Sequence, residues 1–216
     1  TIEENIVMKA ALKLQEITKT NLGARISLKK NIPMQRGLGG GSSDAASTLV
    51  GLNYLWGTEL LEKDLCKIGS EIGSDIPIFI KGNSCWGEGK GDLLTTINLA
   101  KKVFLIALPN FGISTKIAFQ NIKVNNDLKY TYEDFLKGKR INDFEDWARK
   151  SSDEINKAFD ILSDYGNPML TGTGSAVFIE FSNIEEGKKV LRKVEKELRV
   201  ILVNSLESSS LKALLS

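Results

Sequence analysis

Apolar and polar positions recur along the chain with two different periods, and together they predict a mixture of helices and strands. Apolar residues three and four positions apart predict helices over residues 5–17 and 44–56. Lys188–Arg199 mixes Lys and Glu with a second face of Val and Leu, which is typical of a solvated amphipathic helix. Shorter apolar or alternating segments predict strands near residues 24–28, 76–80, 84–88, 103–108, 168–171, 176–181 and 199–203. We therefore expect an α+β fold.

The composition fits a cytoplasmic enzyme better than a membrane protein. The 216 residues suffice for one large or two small domains; 42% are hydrophobic, 26% are charged, and the net charge is +2. Lysines are spread through the chain, no apolar run is long enough to cross a membrane, and no signal segment is visible. Two cysteines without any histidine disfavour a zinc site and agree with a reducing compartment. We expect no membrane or nucleic-acid partner.

The most informative segment is Pro33–Ser47, which reads PMQRGLGGGSSDAAS. Four of its residues from 37 to 41 are glycines, and glycine takes backbone angles that turn peptide N–H groups toward a ligand. A helix follows at once, so its unpaired N–H groups and its dipole both favour an anion such as phosphate. For this segment by itself, a flexible turn before a capped helix is the alternative.

Two common phosphate-binding loops fit this segment poorly. A Walker loop ends in Gly-Lys-Ser/Thr, whereas here the glycines run into Ser42, Ser43 and Asp44 without a lysine. A dinucleotide-binding loop has a strand directly before the glycines and an acidic residue further on. Here Pro33 interrupts the approach, and no clear strand precedes the acidic residues that follow the helix.

The order of strand, Lys-rich turn, Pro, glycine loop and helix resembles the second motif of the GHMP kinase superfamily. The run GLGGGSSDAA is similar to that of one branch, the 4-diphosphocytidyl-2-C-methyl-D-erythritol kinases. The resemblance implies that ATP phosphates lie on this loop. The residues it assigns to ATP binding are Lys30, Pro33, Met34, Gln35, Arg36, Gly37, Leu38, Gly39, Gly40, Gly41, Ser42 and Ser43. Gln35 and Arg36 depart from the small residues of the family, and Arg36 either contacts phosphate or lies in solvent.

A second motif places one carboxylate, Asp75, between a glycine turn and the apolar run that predicts a strand. A carboxylate held rigidly and partly desolvated at such a junction suits contact with a reacting hydroxyl. The alternative is a helix C-terminal turn, with Gly73 as its cap and Asp75 bonded to local backbone. The family carries its catalytic aspartate in this Gly-Ser-Asp-Ile-Pro pattern, so the resemblance implies that Asp75 is the catalytic base.

Further segments resemble the substrate side of the same family. Lys81–Asp92 resembles a glycine-rich turn beside the substrate, and Pro109–Thr115 resembles a segment that follows a strand. The resemblance implies that Thr115 and Phe119 bind the substrate, with Phe119 against its cytosine ring. A phenylalanine of this kind is otherwise an ordinary core residue. Ile141–Glu145 resembles the start of a helix, where we expect a structural cap.

Leu170–Phe178 resembles the third motif of the superfamily. Two glycines between hydroxyl residues predict a tight turn, and a plain hairpin turn is the alternative interpretation. The resemblance implies that the turn packs beside the nucleotide loop and shapes the active site. The active-site loop residues are Thr171, Gly172, Thr173 and Gly174.

Together the motifs imply a two-domain GHMP kinase fold with the active site between the domains. Residues 1–100 would hold the remainder of the N-terminal nucleotide-binding domain, and residues 101–216 would form the C-terminal domain. The implied reaction moves the γ-phosphoryl group of ATP, with Mg²⁺, to the C2 hydroxyl of 4-diphosphocytidyl-2-C-methyl-D-erythritol in isoprenoid biosynthesis. No residue is assigned as a dedicated metal ligand. The expected partner is a small-molecule substrate, and the expected state is a monomer or a weak homodimer.

Two other functions stay open. Another GHMP small-molecule kinase would share the glycine loop but not the Phe119 region. A nucleotide-binding regulator on the same fold would bind phosphate without needing Asp75.

The start of the chain differs from the family pattern. The chain begins Thr1-Ile2-Glu3-Glu4-Asn5 and enters a helix directly, whereas family members carry the first motif, with a lysine and a Gly-Tyr-His segment, before this helix. This chain has no histidine. We therefore expect an N-terminally truncated chain that lacks the first strands of the N-terminal domain and is inactive by itself.

Overall fold

A computed structural model describes residues 5–89, 91, 93–122 and 130–215. The chain forms two compact units. The first unit comprises Thr1–Ile32, Gly39–Leu99 and Leu206–Ser216, and the second comprises Pro33–Leu38 and Ala100–Ser205. The division into domains 1–100 and 101–216 stays a prediction. Lys90 and Asp92, in the turn expected beside the substrate, lie outside the described residues.

The first unit is largely helical. Its helices are α1 (Ile6–Thr18), α2 (Gly40–Trp56), α3 (Glu62–Ile72) and α4 (Ile76–Lys81), followed by the strands β1 (Cys85–Glu88) and β2 (Leu93–Thr96) and a 3₁₀ turn at Ser210–Leu214. The two strands pair antiparallel. The core of this unit is built from the apolar faces of α1 to α4, with Leu14, Leu49 and Leu65 fully buried. The predicted helix over 5–17 is confirmed as α1, and the predicted strand near 84–88 is confirmed as β1. The predicted helix over 44–56 lies within α2, which begins earlier than predicted, at Gly40.

Local chemistry sets the helix ends in this unit. The Asn5 side chain accepts a hydrogen bond from the Val7 N–H and caps α1, while Gly57 takes φ +61° and ends α2. Gly69 lets α3 and α4 approach, because a Cβ there would lie 2.7 Å from Cγ2 of Ile76. The short helix α4 is therefore packed tightly against α3.

Two of the predicted strands are wrong. Residues 76–80 form helix α4, with Pro77 in its first turn, where the missing N–H of proline costs nothing. A short apolar run does not distinguish a buried strand from a buried helix, and a helix satisfies its backbone hydrogen bonds internally. Residues 24–28 have no regular structure and are exposed, and neither sheet of the described residues includes them. Alternating apolar positions form a strand only beside a partner strand.

The second unit combines one antiparallel sheet with five helices in its described residues. The strands are β3 (Val103–Ala107), β4 (Met169–Leu170), β5 (Val177–Phe181) and β6 (Val200–Asn204), in the order β4-β5-β3-β6. The helices are α5 (Thr115–Asn121), α6 (Tyr132–Leu136), α7 (Glu145–Ser151), α8 (Asp153–Ser163) and α9 (Ile184–Val194). The predicted strands near 103–108, 168–171, 176–181 and 199–203 are confirmed.

The last helix has different ends from those predicted. The pattern of Lys188–Arg199 predicts a helix over that range, whereas α9 begins at Ile184 and ends at Val194. Its start is set by Asn183, whose side chain accepts a hydrogen bond from the Glu186 N–H and caps the helix. The helix ends at Val194, and a turn over residues 195–198 leads toward β6, which begins at Val200.

Alternation along the central strands positions the core of the second unit. Leu105 on β3 and Ile179 on β5 are paired across the sheet and fully buried, and both join the core that includes Phe159 of α8. Both cysteines of the chain are free thiols, and burial raises the pKa of Cys66 to about 11. Within the described residues, no helix is both long and apolar enough to span a membrane.

Candidate active site

The predicted ATP-binding residues divide between the two units. Lys30 and residues 39–43 belong to the first unit, whereas residues 33–38 belong to the second. Asp75 lies in the first unit, and Thr115, Phe119 and the loop of residues 171–174 lie in the second.

The glycine loop leaves the N-terminus of α2 open. Gly39 is the N-cap, with φ +65° and no side chain that could occupy the helix N–H groups. The first helical hydrogen bond runs from the Ser43 N–H to the Gly39 carbonyl at 2.9 Å. The N–H groups of Gly40, Gly41 and Ser42 therefore precede the helical ladder and have no intrahelical acceptor. The first turn contains no acidic residue, so this end of α2 is suited to an anion.

Close packing explains why Gly39 is a glycine. A Cβ at this position would lie 2.5 Å from Cζ of Phe79, which is on α4. The positive φ adds a second reason, because residues with a Cβ rarely take it. The start of α2 is thus fixed against the helix that follows Asp75.

Asp75 is the N-cap residue of α4, and its carboxylate is exposed. The Ser74 hydroxyl donates to it at 3.3 Å, but the side chain makes no capping bond to the helix. Gly73 ends α3 as the alternative interpretation expected, since its N–H donates to the Gly69 carbonyl at 2.9 Å. The expected partial desolvation of Asp75 is not seen, because its side chain is exposed. Its oxygens are accessible to a ligand.

An ion pair joins the two flanks of the glycine loop in the first unit. The Lys30 ammonium donates to the Asp44 carboxylate in the second turn of α2. Asp44 carries no predicted role, although its contact sets where the predicted ATP-binding Lys30 lies. Lys30 and Asp44 lie on opposite sides of the glycine loop in the sequence, so no local sequence pattern predicted their ion pair.

The segment Pro33–Leu38 is held by two other loops of the second unit. The Ile113 N–H donates to the Gln35 carbonyl at 3.0 Å. The Arg36 carbonyl accepts from Thr171 Oγ1 at 2.9 Å and from the Ala176 N–H at 3.1 Å. These bonds fix the backbone that leads into the glycines.

The third motif packs directly on the start of the glycine loop. At Gly37, which has φ +67°, a Cβ would lie 2.0 Å from the Thr171 carbonyl oxygen and 2.9 Å from the Gly174 nitrogen. At Gly172, with φ +47°, a Cβ would lie 3.1 Å from the Gly37 carbonyl oxygen. The two turns interlock because both lack side chains at the contact. Thr173, between the two glycines, is half-buried.

The departure at Gln35 and Arg36 is accommodated by a third glycine. A Cβ at Gly112 would lie 2.8 Å from Oε1 of Gln35 and 2.9 Å from Nη1 of Arg36. Arg36 Nη1 donates to the carbonyls of Met34 and Gln35 at 3.3 and 3.4 Å, and its Nε is buried without a hydrogen-bond partner among the described residues. Arg36 is therefore half-buried over Gly112 and does not simply extend into solvent.

Phe119 is not a core residue. Its side chain on α5 is 62% exposed, and its ring meets that of Phe144 edge to face, with centroids 5.0 Å apart and planes at 81°. Thr115, the first residue of α5, is also exposed. Both predicted substrate-binding side chains of this helix are therefore accessible.

The sequence pattern missed the part that Asn142 plays in the third motif. Its Nδ2 donates to the carbonyls of Leu170 and Gly172 at 3.0 and 2.8 Å, and its Oδ1 accepts from the Phe144 N–H at 3.0 Å. The expected side-chain cap of α7 is not formed, because Phe144 is its N-cap residue and no side chain bonds to its first turn. The Asn142 amide instead closes a turn just before the helix and also holds the turn of the third motif. An Asn before a helix was the available signal, and nothing in it indicated a partner so distant in the chain.

Glu145 adds a second contact to the same turn. Its carboxylate accepts a hydrogen bond from the Leu170 backbone, which lowers its pKa, but burial outweighs this and raises the pKa above the ordinary value. The adjacent Arg149 also favours the ionised form. Asn142 and Glu145 together anchor the end of β4.

Comparison with known proteins identifies the family of this chain. Residues 5–83 match the GHMP kinases N terminal domain family, and residues 131–200 match the GHMP kinases C terminal family. The chain is 39% identical over 217 residues to a 4-diphosphocytidyl-2-C-methyl-D-erythritol kinase of Psychromonas ingrahamii, covering 100% of this chain and 76% of the relative. A kinase of the same name from Buchnera aphidicola is 40% identical over 211 residues, covering 97% of this chain and 74% of the relative.

Solved structures give the same picture. A crystal structure of 4-(cytidine 5'-diphospho)-2C-methyl-D-erythritol kinase matches with a TM-score of 0.77 and 25% identity, covering 93% of this chain and 77% of that one. A homoserine kinase from Cytophaga hutchinsonii matches with a TM-score of 0.69 and 17% identity, covering 96% of this chain and 78% of that one. The second match shows a shared fold alone.

Proposed function

The chain belongs to the 4-diphosphocytidyl-2-C-methyl-D-erythritol kinase family of the GHMP kinases, and we infer that it is a small-molecule kinase of isoprenoid precursor biosynthesis. It transfers the γ-phosphoryl group of ATP to the C2 hydroxyl of 4-diphosphocytidyl-2-C-methyl-D-erythritol. The observation that carries the phosphoryl-transfer chemistry is the open N-terminus of α2, where Gly39 caps the helix without a side chain. The choice of substrate follows from the relatives.

Phosphoryl transfer needs positioning and charge neutralisation more than covalent participation by the protein. The N–H groups of Gly40, Gly41 and Ser42 donate to phosphate oxygens, and the dipole of α2 favours the negative charge. The hydroxyls of Ser42 and Ser43 add donors in the same turn. The Lys30 ammonium lies beside this turn, where it pairs with the Asp44 carboxylate.

Asp75 is the proposed catalytic base. Its carboxylate is exposed and not used for helix capping, so it is available to orient the acceptor hydroxyl and to accept its proton. The adjacent Ser74 hydroxyl donates to that carboxylate at 3.3 Å.

Mg²⁺ is part of the proposal as a companion of ATP. The described residues contain no group of three or more His, Cys, Asp or Glu side chains that could enclose a metal. In enzymes that use ATP, Mg²⁺ is generally bound through one or two carboxylates together with phosphate oxygens and waters. When bound, Mg²⁺ would neutralise charge on the phosphate oxygens. Among the proposed site residues, the serine hydroxyls at the start of α2 and the Asp75 carboxylate would offer it the oxygen ligands that it prefers.

The base of the substrate is proposed to lie against Phe119. The exposed ring on α5 offers an aromatic surface to a pyrimidine, and the exposed Thr115 hydroxyl offers a polar contact on the same helix. The remaining expectations, a monomer or weak homodimer in the cytoplasm, stay predictions.

Turnover by the full-length gene product tests this function. We expect phosphoryl transfer from ATP, in the presence of Mg²⁺, to 4-diphosphocytidyl-2-C-methyl-D-erythritol, and none to homoserine or mevalonate. A coupled assay that detects ADP would measure the transfer. Turnover with homoserine or mevalonate would assign a different GHMP kinase. ATP binding without turnover on any of the three would favour the regulator.

A further inference from the structure

The turn from Asn142 to Glu145 contacts the aromatic residue proposed for base binding. Phe144 lies between Asn142, which bonds its N–H, and the core of the second unit, against which its side chain packs. Its ring then meets Phe119 at 5.0 Å between centroids. Phe144 is therefore fixed by Asn142 and by the core, and it contacts the ring of Phe119, which is mostly exposed.

An exposed phenylalanine is a poor binding surface unless something restricts its rotation. A ring that samples several rotamers loses that freedom on binding, and the lost entropy weakens the complex. The edge-to-face arrangement at 81° is one of the geometries that the ring quadrupoles favour. Contact with Phe144 therefore selects one orientation of Phe119 before the ligand arrives.

Asn142 makes the support of Phe144 rigid. Both polar atoms of its side-chain amide are used: the Oδ1 accepts from Phe144, and the Nδ2 donates to two carbonyls of the third motif. The Asn142 side chain is half-buried and makes three hydrogen bonds, and displacement of this turn would give up all three. The Phe144 backbone is thus tied to the same turn that packs on Gly37.

We propose that Phe144 is a positioning residue that holds the Phe119 ring in the orientation needed to stack a pyrimidine base. The proposal rests on the proposed function, since it assumes that Phe119 receives the base. Phe144 itself need not touch the substrate. Its effect should appear in the affinity for the cytidyl substrate and not in the affinity for ATP or in the chemical step.

The first test is Phe144→Leu in the full-length gene product. We expect the KM for the cytidyl substrate to rise about 3- to 10-fold, the range that the loss of an aromatic pair supports, with kcat and the KM for ATP within about 2-fold. Phe144→Met, which conserves volume without a ring, is the second variant and should show the same rise. Phe144→Tyr, which keeps the ring, should restore the original KM.

A matched control is available in the same unit. Phe104 on β3 forms an edge-to-face pair with Phe178, with centroids 5.7 Å apart and planes at 74°. Phe104→Leu should leave the KM for the cytidyl substrate unchanged. An equal rise in KM for Phe104→Leu and Phe144→Leu would mean a general loss of stability and would overturn the proposal.

A double-mutant cycle separates this inference from the function on which it rests. If Phe144 acts through Phe119, Phe144→Leu should have no further effect in a Phe119→Leu background. Additive effects would show that Phe144 acts independently and would overturn the inference. A normal KM in Phe119→Leu would instead overturn the proposed stacking of the cytosine base on Phe119. A raised KM in Phe119→Leu, together with a normal KM in Phe144→Leu and Phe144→Met, would overturn only the inference about Phe144.

Discussion

Asp75→Asn in the full-length gene product is expected to lower kcat by about 10²- to 10⁴-fold, the range contributed by a general base, while ATP still binds. Asparagine has nearly the same shape and can accept a hydrogen bond, but it cannot take a proton from the acceptor hydroxyl. The change should not disturb folding, because the Asp75 side chain is exposed and makes no capping bond to α4. Steady-state kinetics would measure kcat, and calorimetry would measure the Kd for ATP.

A second acidic residue near a helix N-terminus provides the control for this prediction. Asp64 lies in the first turn of α3, so Asp64→Asn also removes a carboxylate near a helix N-terminus of the same unit. Its kcat should stay within about 2-fold of the unsubstituted protein, since surface substitutions away from special features have small effects. If kcat in Asp75→Asn also stays within about 2-fold of the unsubstituted protein, Asp75 is not the catalytic base. That result would favour a protein that binds nucleotide without catalysis.

Gly37→Ala is expected to have the second largest effect, a loss of about 100-fold or more in kcat/KM for ATP, in line with misplacement of a catalytic group by an ångström. The new Cβ would lie 2.0 Å from the Thr171 carbonyl oxygen, and a backbone atom cannot move aside as a flexible side chain would. The positive φ costs an alanine a further 1–2 kcal/mol, roughly. Relief of the contact would separate the glycine loop from the third motif.

Alanine variants of two other glycines, one inside α2 and one at its end, separate the backbone strain at Gly37 from the clash of its new Cβ. Gly57 has φ +61° and nothing within 4 Å of the position that a Cβ would take, so Gly57→Ala measures the cost of backbone strain without a clash. Gly51 lies inside α2 with open space around it, so Gly51→Ala should stabilise the fold by about 0.5–1 kcal/mol. Urea unfolding measures stability for all three variants, and kinetics measures kcat/KM.

The expected order of stability is Gly51→Ala above the unsubstituted protein, then Gly57→Ala, then Gly37→Ala. Only Gly37→Ala should lose kcat/KM for ATP. If Gly37→Ala retains normal kinetics, or if Gly57→Ala loses activity equally, the interlocked turns are not what positions the loop.

Features encoded within a few residues were accessible from the sequence. The period of apolar residues predicted α1 and α2, and the glycines predicted a turn that feeds α2. The four strands of the second unit also followed from their own apolar patterns. In each of these cases the residues that form the element also carry the signal for it.

Features that need a partner elsewhere were missed or wrong. Residues 24–28 have the alternation of a strand but lie in neither described sheet, and residues 76–80 are a helix although an apolar run of that length is equally compatible with a strand. Asp75 was expected to be partly desolvated, but its side chain is exposed. Asn142 and Phe144 were predicted only to start a helix.

The sequence by itself determined the family, the glycine loop and the candidate base, because each depends on residue types in a short, ordered pattern. Only the tertiary structure decided that Gly37 meets Thr171, that Gly112 makes room for Arg36, and that Phe144 supports Phe119. Such contacts join segments as far apart as Thr171 and Arg36, which are 135 residues apart. Their geometry depends on how the intervening chain packs, and no local pattern encodes that.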